Sequence, residues 1–290
     1  MEIVFVILHY MTDSDTAICI NSIKDRLDTD SYHIIVVDNA SNNGSIERIT
    51  EKYKNDKKVS IILNKQNLGF ARGLNVGIKS ALEQFDPEYI VATNNDILLL
   101  SRNMCEVLNT KKNVIDYSVA GPMMITRDGR CSVNPIRNTI RSREEAQRLI
   151  KKDNTLYALS CCHLLWVYEL QRKMRKAGNR YIDPQKYIND QIDYQLHGAF
   201  WIFSRRFFDI FQGLDEGIFL YGEESLLYLH LMKNNMHTLY TPDIQVFHKE
   251  DSSTETIHTN SIEKTKFVCK TGRKSLEYYI RVFDSYKNRN

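Results

Sequence analysis

The sequence predicts an α/β fold: a mostly parallel central sheet flanked by helices, with a helical C-terminal extension. Three observations predict it. Ile3–Leu8, His33–Asp38, Val59–Asn64 and Tyr89–Asn94 are apolar runs rich in Val and Ile. They are nearly continuous rather than alternating, as strands buried on both faces require. Segments with helical spacing lie between them, so strand and helix alternate through roughly the first 100 residues. Each run also ends in polar side chains, at His9-Tyr10, Asp38-Asn39, Asn64 and Asn94-Asn95-Asp96. In one sheet these ends share an edge, and ligands of open α/β sheets collect outside the carboxyl ends of strands.

Taken in order, the first helix shows a face of Ile18, Ile23 and Leu27, and the third a cleaner stripe of Phe70, Leu74, Ile78, Leu82 and Phe85. The third crossover reads Asn67-Leu-Gly-Phe-Ala-Arg-Gly-Leu-Asn75. Gly69 and Gly73 there let the backbone approach a ligand closely, and a helix N-terminus offers free N–H groups to an anion. Arg72 and Asn75 share one face of the first turns, and a guanidinium can grip phosphate oxygens in bidentate fashion. After the fourth strand, Asn94-Asn95-Asp96 has two readings: a turn with Asn and Asp as caps, or a carboxylate placed for chemistry. The dinucleotide fingerprint GxGxxG is missing after the first strand, which disfavours an ordinary NAD or FAD fold.

Beyond about residue 126 the pattern loosens. Thr126–Thr155 is polar and basic, Cys161–Gly178 reads as helix, and a loop continues through Gln195. This region is where recognition is expected to vary, since loops on a rigid scaffold carry it. His197–Ser204 then reads as a strand and Arg205–Gln212 as a short helix. Gly222-Glu223-Glu224 opens another helix that ends near Asn234-Asn235. Paired carboxylates in a first turn either complement the helix dipole or do chemistry. Thr238–Tyr240 and Ile244–Phe247 read as two short strands separated by Pro242, the second ending at His248. An imidazole there, followed by Glu250 and Asp251, suits a Mn²⁺-type site; the other seven histidines carry no assigned role.

Composition bounds the rest. With 290 residues, 42% hydrophobic and 26% charged, the chain is an ordinary globular protein of net charge +3. Arg127–Lys152 and Glu263–Asn290 each hold eight Lys/Arg against three Asp/Glu, which suits phosphate, nucleic acid or an anionic membrane surface, or simply a solvated face. The six cysteines show no CxxC or metal-finger spacing, so reduced thiols in a cytoplasmic protein are expected. MEIVFVIL lacks the basic start and the cleavage site of a signal peptide, and no apolar run reaches the ~20 residues of a membrane span. Membrane contact is therefore expected to be peripheral.

Five blocks, in order, carry a resemblance: VVDNASNNGS (Val36–Ser45), NKQNLGFARGLNVGI (Asn64–Ile78), NND (Asn94–Asp96), GAFWIFSRRFFDIFQGLDEGIFLYGEE (Gly198–Glu224) and YTPDIQVFH (Tyr240–His248). Together they resemble the family-2 inverting glycosyltransferases of GT-A fold, especially their bacterial rhamnosyltransferase-like and galactofuranosyltransferase-like branch. The resemblance covers roughly residues 1–250 and leaves out 126–195; the Tyr/Arg-rich C-terminus also looks like that branch. It implies a GT-A domain over 1–250, with a nucleotide-sugar half at 1–100 and a metal and acceptor half at 101–250. Residues 251–290 would form a basic, Tyr-rich helical extension.

Carried over residue by residue, the resemblance implies that Asp38 binds the nucleotide base or ribose with Tyr10 nearby. The Asn67–Asn75 segment, with Asn67, Gly69, Arg72 and Asn75, would meet the donor diphosphate or sugar, with Asn94 and Asn95 beside it. Asp96 and His248 would hold Mg²⁺ or Mn²⁺. Glu223-Glu224 matches the family's Glu-Asp pair, whose second member is the usual base, so Glu224 leads and Glu223 is the alternative. The implied activity moves one sugar from a dTDP- or UDP-linked donor (dTDP-rhamnose, UDP-galactofuranose or a UDP-hexose) to a saccharide acceptor on a polyprenyl diphosphate lipid. That acceptor belongs to bacterial surface polysaccharide synthesis at the inner membrane face. The C-terminal tail would rest on that face, pack as a helix or form a homodimer contact. No nucleic-acid module is present. A non-catalytic nucleotide-sugar-binding scaffold is the alternative.

Overall fold

Strand β1 (Ile3–His9) is apolar on both faces, and the fold buries both. It pairs in parallel with β2 (Tyr32–Asp38) and β4 (Tyr89–Asn94), and β2 pairs in parallel with β3 (Val59–Leu63). The register aligns His9 with Asp38 and Leu8 with Asn94, so the polar strand ends do share one edge. The computed structural model describes residues 2–168, 170, 184–250 and 261–287. Among these, nine strands form one sheet in the order β3-β2-β1-β4-β8-β6-β9-β5, with β7 on β9.

Odd and even residues of β1 serve different cores. Ile3, Phe5 and Ile7 pack with Cys19, Ile20 and Ile23 of α1 (Asp13–Arg26), near α2 (Ser45–Tyr53). Val4 and Val6 pack with Leu74, Ile78 and Ala81 of α3 (Phe70–Gln84). Each such fully buried aliphatic side chain contributes about 1.5–3 kcal/mol of transfer free energy. The stripe read for α1 needs correction: Ile18 is 47% exposed, and Cys19 and Ile20 take its place. On α3, Leu82 is likewise exposed, because Ala71, Gly77 and Ala81 bring the helix too close to the sheet for a wider face. A Cβ on Gly73 would lie 2.7 Å from Leu8, and one on Gly77 2.4 Å from Val6. Gly73 and Gly77 therefore let the helix pack close on the sheet.

The second half of the sheet is mixed. Strand β5 (Ile97–Leu99), short and missed by its sequence pattern, runs antiparallel to β9 (Thr238–His248). Helix α4 (Met104–Lys112) leads to β6 (Val119–Thr126), which lies between β8 (Phe200–Ser204) and β9. Strand β8 pairs antiparallel with β4. Pro242 does not divide β9 into two strands. The β6–β9 register shifts between Pro122 and Met123, and this bulge absorbs Pro242 without breaking the strand. Asp243, within the bulge, pairs with Lys111 of α4 at 2.8 Å.

Between β6 and β8 the chain forms α5 (Arg143–Cys161), a 3₁₀ turn (Pro184–Tyr187) and β7 (Gln191–Ile192). Within the helix read over Cys161–Gly178, Cys161 closes α5, a turn follows, and residues 165–168 and 170 are helical; most of the remainder lies outside the described residues. Helix α6 is short (Arg205–Phe208), α7 spans Glu223–Lys233, and α8 spans Ser261–Lys287. Helix α8 packs on α5 and α7 around a small core of Ala146, Ile218, Leu226, Leu229 and Tyr279.

Candidate active site

The β1–β2 edge is held by buried polar contacts. Both carboxylate oxygens of Asp38 accept the backbone N–H of Ser41, at 3.1 and 3.2 Å. His9 is fully buried between the Thr16 and Ser45 hydroxyls, at 2.6 and 2.9 Å, and burial pushes its pKa down. Tyr10, half-buried, follows directly. Asn39 joins this edge to the third crossover: its amide donates to Asn67 Oδ1 and the Gly69 carbonyl, and Leu68 N–H donates to its Oδ1 at 3.0 Å.

Several residues expected at a donor are engaged with protein. Asn67 Oδ1 also accepts Gly69 N–H at 2.9 Å, which fixes the loop. Gly69 sits at φ +84, and a Cβ there would lie 2.2 Å from the Phe219 carbonyl. Its need for glycine comes from the Gly213–Gly222 segment pressing on it. Asn75 holds the same segment: its Oδ1 accepts Leu214 N–H at 2.8 Å, and its Nδ2 donates to Leu214 O and Glu216 Oε1, both at 2.9 Å. Arg72 donates through Nε to the Glu216 carbonyl at 3.0 Å while remaining exposed.

The second cluster lies where β4, β8, α7 and β9 meet. Asn94 N–H donates to the Ala199 carbonyl, and Asn95 anchors α1 by donating to Thr12 and Thr16 hydroxyls at 2.8 and 3.0 Å. Asp96 and His248, both buried, approach to 3.5 Å between Oδ1 and Nε2. The His248 ring lies 5.6 Å from that of His197, and two residues on, Glu250 pairs with Arg130. Glu224 accepts Gly198 N–H at 3.3 Å and adds a negative charge next to His197. Glu223 is buried; burial first, and the Glu224 charge second, push its carboxyl up to about 8.

The fit of a cation can be tested on these donors. His248 Nδ1 is buried with no hydrogen-bond partner among the described residues, while its other nitrogen faces a carboxylate. Carboxylate plus imidazole is a donor pair that suits Mn²⁺, and a hard cation takes further oxygens from water or phosphate. No third His, Cys, Asp or Glu converges with them among the described residues. The pair therefore fits a cation whose coordination a ligand completes.

Of the residues read from sequence, Asn94, Asp96, His248, Glu223 and Glu224 gather in one place. Asp38, Tyr10, Asn67, Gly69, Arg72 and Asn75 line the adjoining edge. His197 was missed. Its signal was its position one residue before Gly198, at the entry to β8, but only the folded chain brings it to His248 and Glu224. His230 was also unassigned; it pairs with Asp215 and Tyr286, both at 2.8 Å, and Tyr278 donates to the same Asp215. That network fastens α8 to α7, so the C-terminal tyrosines serve packing.

Similar proteins share this arrangement of elements. The crystal structure of S. aureus TarS matches with TM-score 0.54 at 14% identity, over 86% of this chain and 37% of that one. A TarS 1–349 complex with UDP gives 0.53 at 13% identity, over 86% and 60%. GalNAc-T7 with UDP, GalNAc and Mn²⁺ gives 0.58 at 12% identity, over 87% and 45%. The chain thus spans about two fifths to three fifths of the length of these solved chains. At such identities the likeness is one of fold, and the fold is GT-A. No curated protein matches in sequence. No helix of the described residues is long and apolar enough to cross a membrane. The sequence model named "Glycosyl transferase family 2" matches residues 5–214, more than two thirds of the 290, and the chain belongs to that family.

Proposed function

We propose that this chain is an inverting glycosyltransferase that moves one sugar from a nucleotide-sugar to a saccharide hydroxyl with the help of a divalent cation. The observation that carries the reading is the meeting of Asp96 and His248 with the Glu223–Glu224 pair around His197. Residues 1–250 act as the catalytic unit and 251–290 as its extension.

Departure of the nucleoside diphosphate leaves negative charge on oxygen; Asp96 and His248 would hold Mg²⁺ or Mn²⁺, which would supply the neutralising charge when bound. Asp38 and Tyr10 bind the nucleoside end, with Asn94 at the neighbouring strand end. Arg72 extends its exposed guanidinium toward the donor. Asn67, Gly69, Asn75 and Asn95 position the surrounding loops, since their polar groups are engaged with protein. A single displacement needs no protein nucleophile; it needs a base that takes the acceptor proton as the hydroxyl attacks. Burial and the Glu224 charge hold the proton on Glu223, which makes it the poorer proton acceptor of the pair near neutrality. Glu224, fixed by Gly198 N–H, is the base.

The sugar and acceptor follow the family resemblance: dTDP-rhamnose, UDP-galactofuranose or a UDP-hexose as donor, and a lipid-linked saccharide of bacterial surface polysaccharide as acceptor. Screening these donors with Mn²⁺ for nucleotide release, with and without polyprenyl-linked acceptors, tests the reading. Turnover abolished in Glu224→Gln and retained in Glu223→Gln supports it. A Glu224→Gln enzyme with full turnover refutes the assignment of the base.

A further inference from the structure

Helix α8 lies outside the family match over residues 5–214, yet one of its faces closes a cleft against the third crossover. Thr271, Lys274, Ser275 and Tyr278 follow one another at helical spacing, so they share that face. Ser275 Oγ donates to the Leu220 carbonyl at 3.0 Å, and Tyr278 donates to Asp215 at 2.9 Å. A Cβ on Gly217 would collide with the Tyr278 ring, so the Gly213–Gly222 segment lies directly on the helix. The same segment is fastened to α3, where Phe70 N–H donates to the Phe219 carbonyl at 2.9 Å and Arg72 Nε to the Glu216 carbonyl at 3.0 Å. Where the three pieces meet they leave a cleft of about 240 Å³. Its walls include Arg72 from α3, Phe219 from the segment, and Thr271 and Lys274 from α8.

The charge of this cleft is one-sided. No Asp or Glu lines it. Lys274 is exposed and forms no ion pair among the described residues, and Arg72 forms none either, its Nε being spent on a neutral carbonyl. The carboxylates of the wall segment are committed elsewhere: Glu216 accepts from Asn75, and Asp215 accepts from Gly217 N–H, His230 and Tyr278. Two cations lining one cavity repel each other, and an anion between them turns that cost into attraction. We propose that Arg72, Lys274 and Thr271 hold a phosphate group of a substrate in this cleft. The guanidinium offers paired planar donors, the ammonium a compact charge and the threonine a neutral hydroxyl. Phe219, 45% exposed, supplies an apolar wall. The segment continues through Gly222 into Glu223 and Glu224, so a short stretch of backbone ties the held phosphate to the proposed base. Both substrates of the proposed transferase carry phosphate, the nucleotide-sugar in its diphosphate and the lipid-linked saccharide in its own. The inference rests on that reading for the origin of the phosphate, and it makes α8 part of the binding machinery.

Calorimetric titration of inorganic pyrophosphate into the full chain tests the site without turnover, in EDTA so that no cation joins Asp96 and His248. Affinity is expected to fall about tenfold in Lys274→Ala and in Arg72→Ala, to fall less in Thr271→Val, and to recover in Lys274→Arg. The thermal midpoint of Lys274→Ala stays at the wild-type value, since the side chain is exposed. UDP and dTDP, titrated with Mn²⁺ into wild type and Lys274→Ala, identify the source. An equal loss makes the phosphate the donor's, and nucleotide affinity left intact makes it the acceptor's. Wild-type pyrophosphate affinity in Lys274→Ala, or no pyrophosphate binding by the wild-type chain, overturns the proposal. The transferase reading fails separately, by absence of turnover with every donor while Lys274-dependent binding stands.

Discussion

Replacing Glu223 with Gln should flatten the pH dependence of stability, because this carboxyl carries a proton in the folded chain that the unfolded chain releases. Burial is the larger cause of its raised value, about 8 against an ordinary 4.5, and the neighbouring Glu224 charge is the smaller. Below the ordinary value both states hold the proton and Glu223 contributes no slope. Between the two values only the folded state holds it, so stability falls as pH rises, by up to about 1.4 kcal/mol per unit. From about pH 5.5 to 8 this accumulates to roughly 3 kcal/mol, lost in wild type and not in Glu223→Gln. Urea denaturation across that range measures it, with the slope against pH as the readout. Glu224→Gln should keep most of the slope, since burial of Glu223 persists. Parallel slopes in wild type and Glu223→Gln would refute both the proton's location and the choice of Glu224 as base.

Three further outcomes follow from the same geometry. Gly69→Ala forces a side chain into left-handed backbone against the Phe219 carbonyl and should cost about 2–4 kcal/mol, read by denaturation, and weaken nucleotide binding as the Gly213–Gly222 segment shifts. Asn95→Ala strips the Thr12 and Thr16 hydroxyls of a buried partner and should cost about 1–3 kcal/mol; an unchanged midpoint would show that anchor to be idle. His9, held neutral by burial, has a lowered folded value, so stability is present above its ordinary 6.5 and is lost as pH falls through that value toward the lower folded one. His9→Gln should therefore show a shallower acid limb in denaturation below about pH 6.5 than wild type.

Much of the sheet was legible because parallel strands buried on both faces write themselves as runs of Val and Ile. The four N-terminal strands matched their runs to within about a residue, and the polar ends met at one edge. Strand β6, by contrast, reads Val-Ala-Gly-Pro-Met-Met-Ile-Thr, and its glycine and proline conceal a strand that a bulge makes possible. Pro242 misled for the same reason. The glycines of the third crossover were legible as constrained, but not as to what constrains them. Only the folded chain shows Phe219 against Gly69 and Leu8 against Gly73. His197 escaped because a histidine's role depends on neighbours distant in sequence, here Glu224 and His248.

The most direct measurement of the central claim is calorimetric titration of UDP and dTDP into the chain, with and without Mn²⁺, in wild type and Asp96→Ala. The account predicts that one nucleotide binds at least tenfold more tightly with Mn²⁺ and that Asp96→Ala removes the metal's contribution. Binding of neither nucleotide, or binding indifferent to Mn²⁺ and to Asp96, would contradict it and leave Asn94-Asn95-Asp96 as a structural turn.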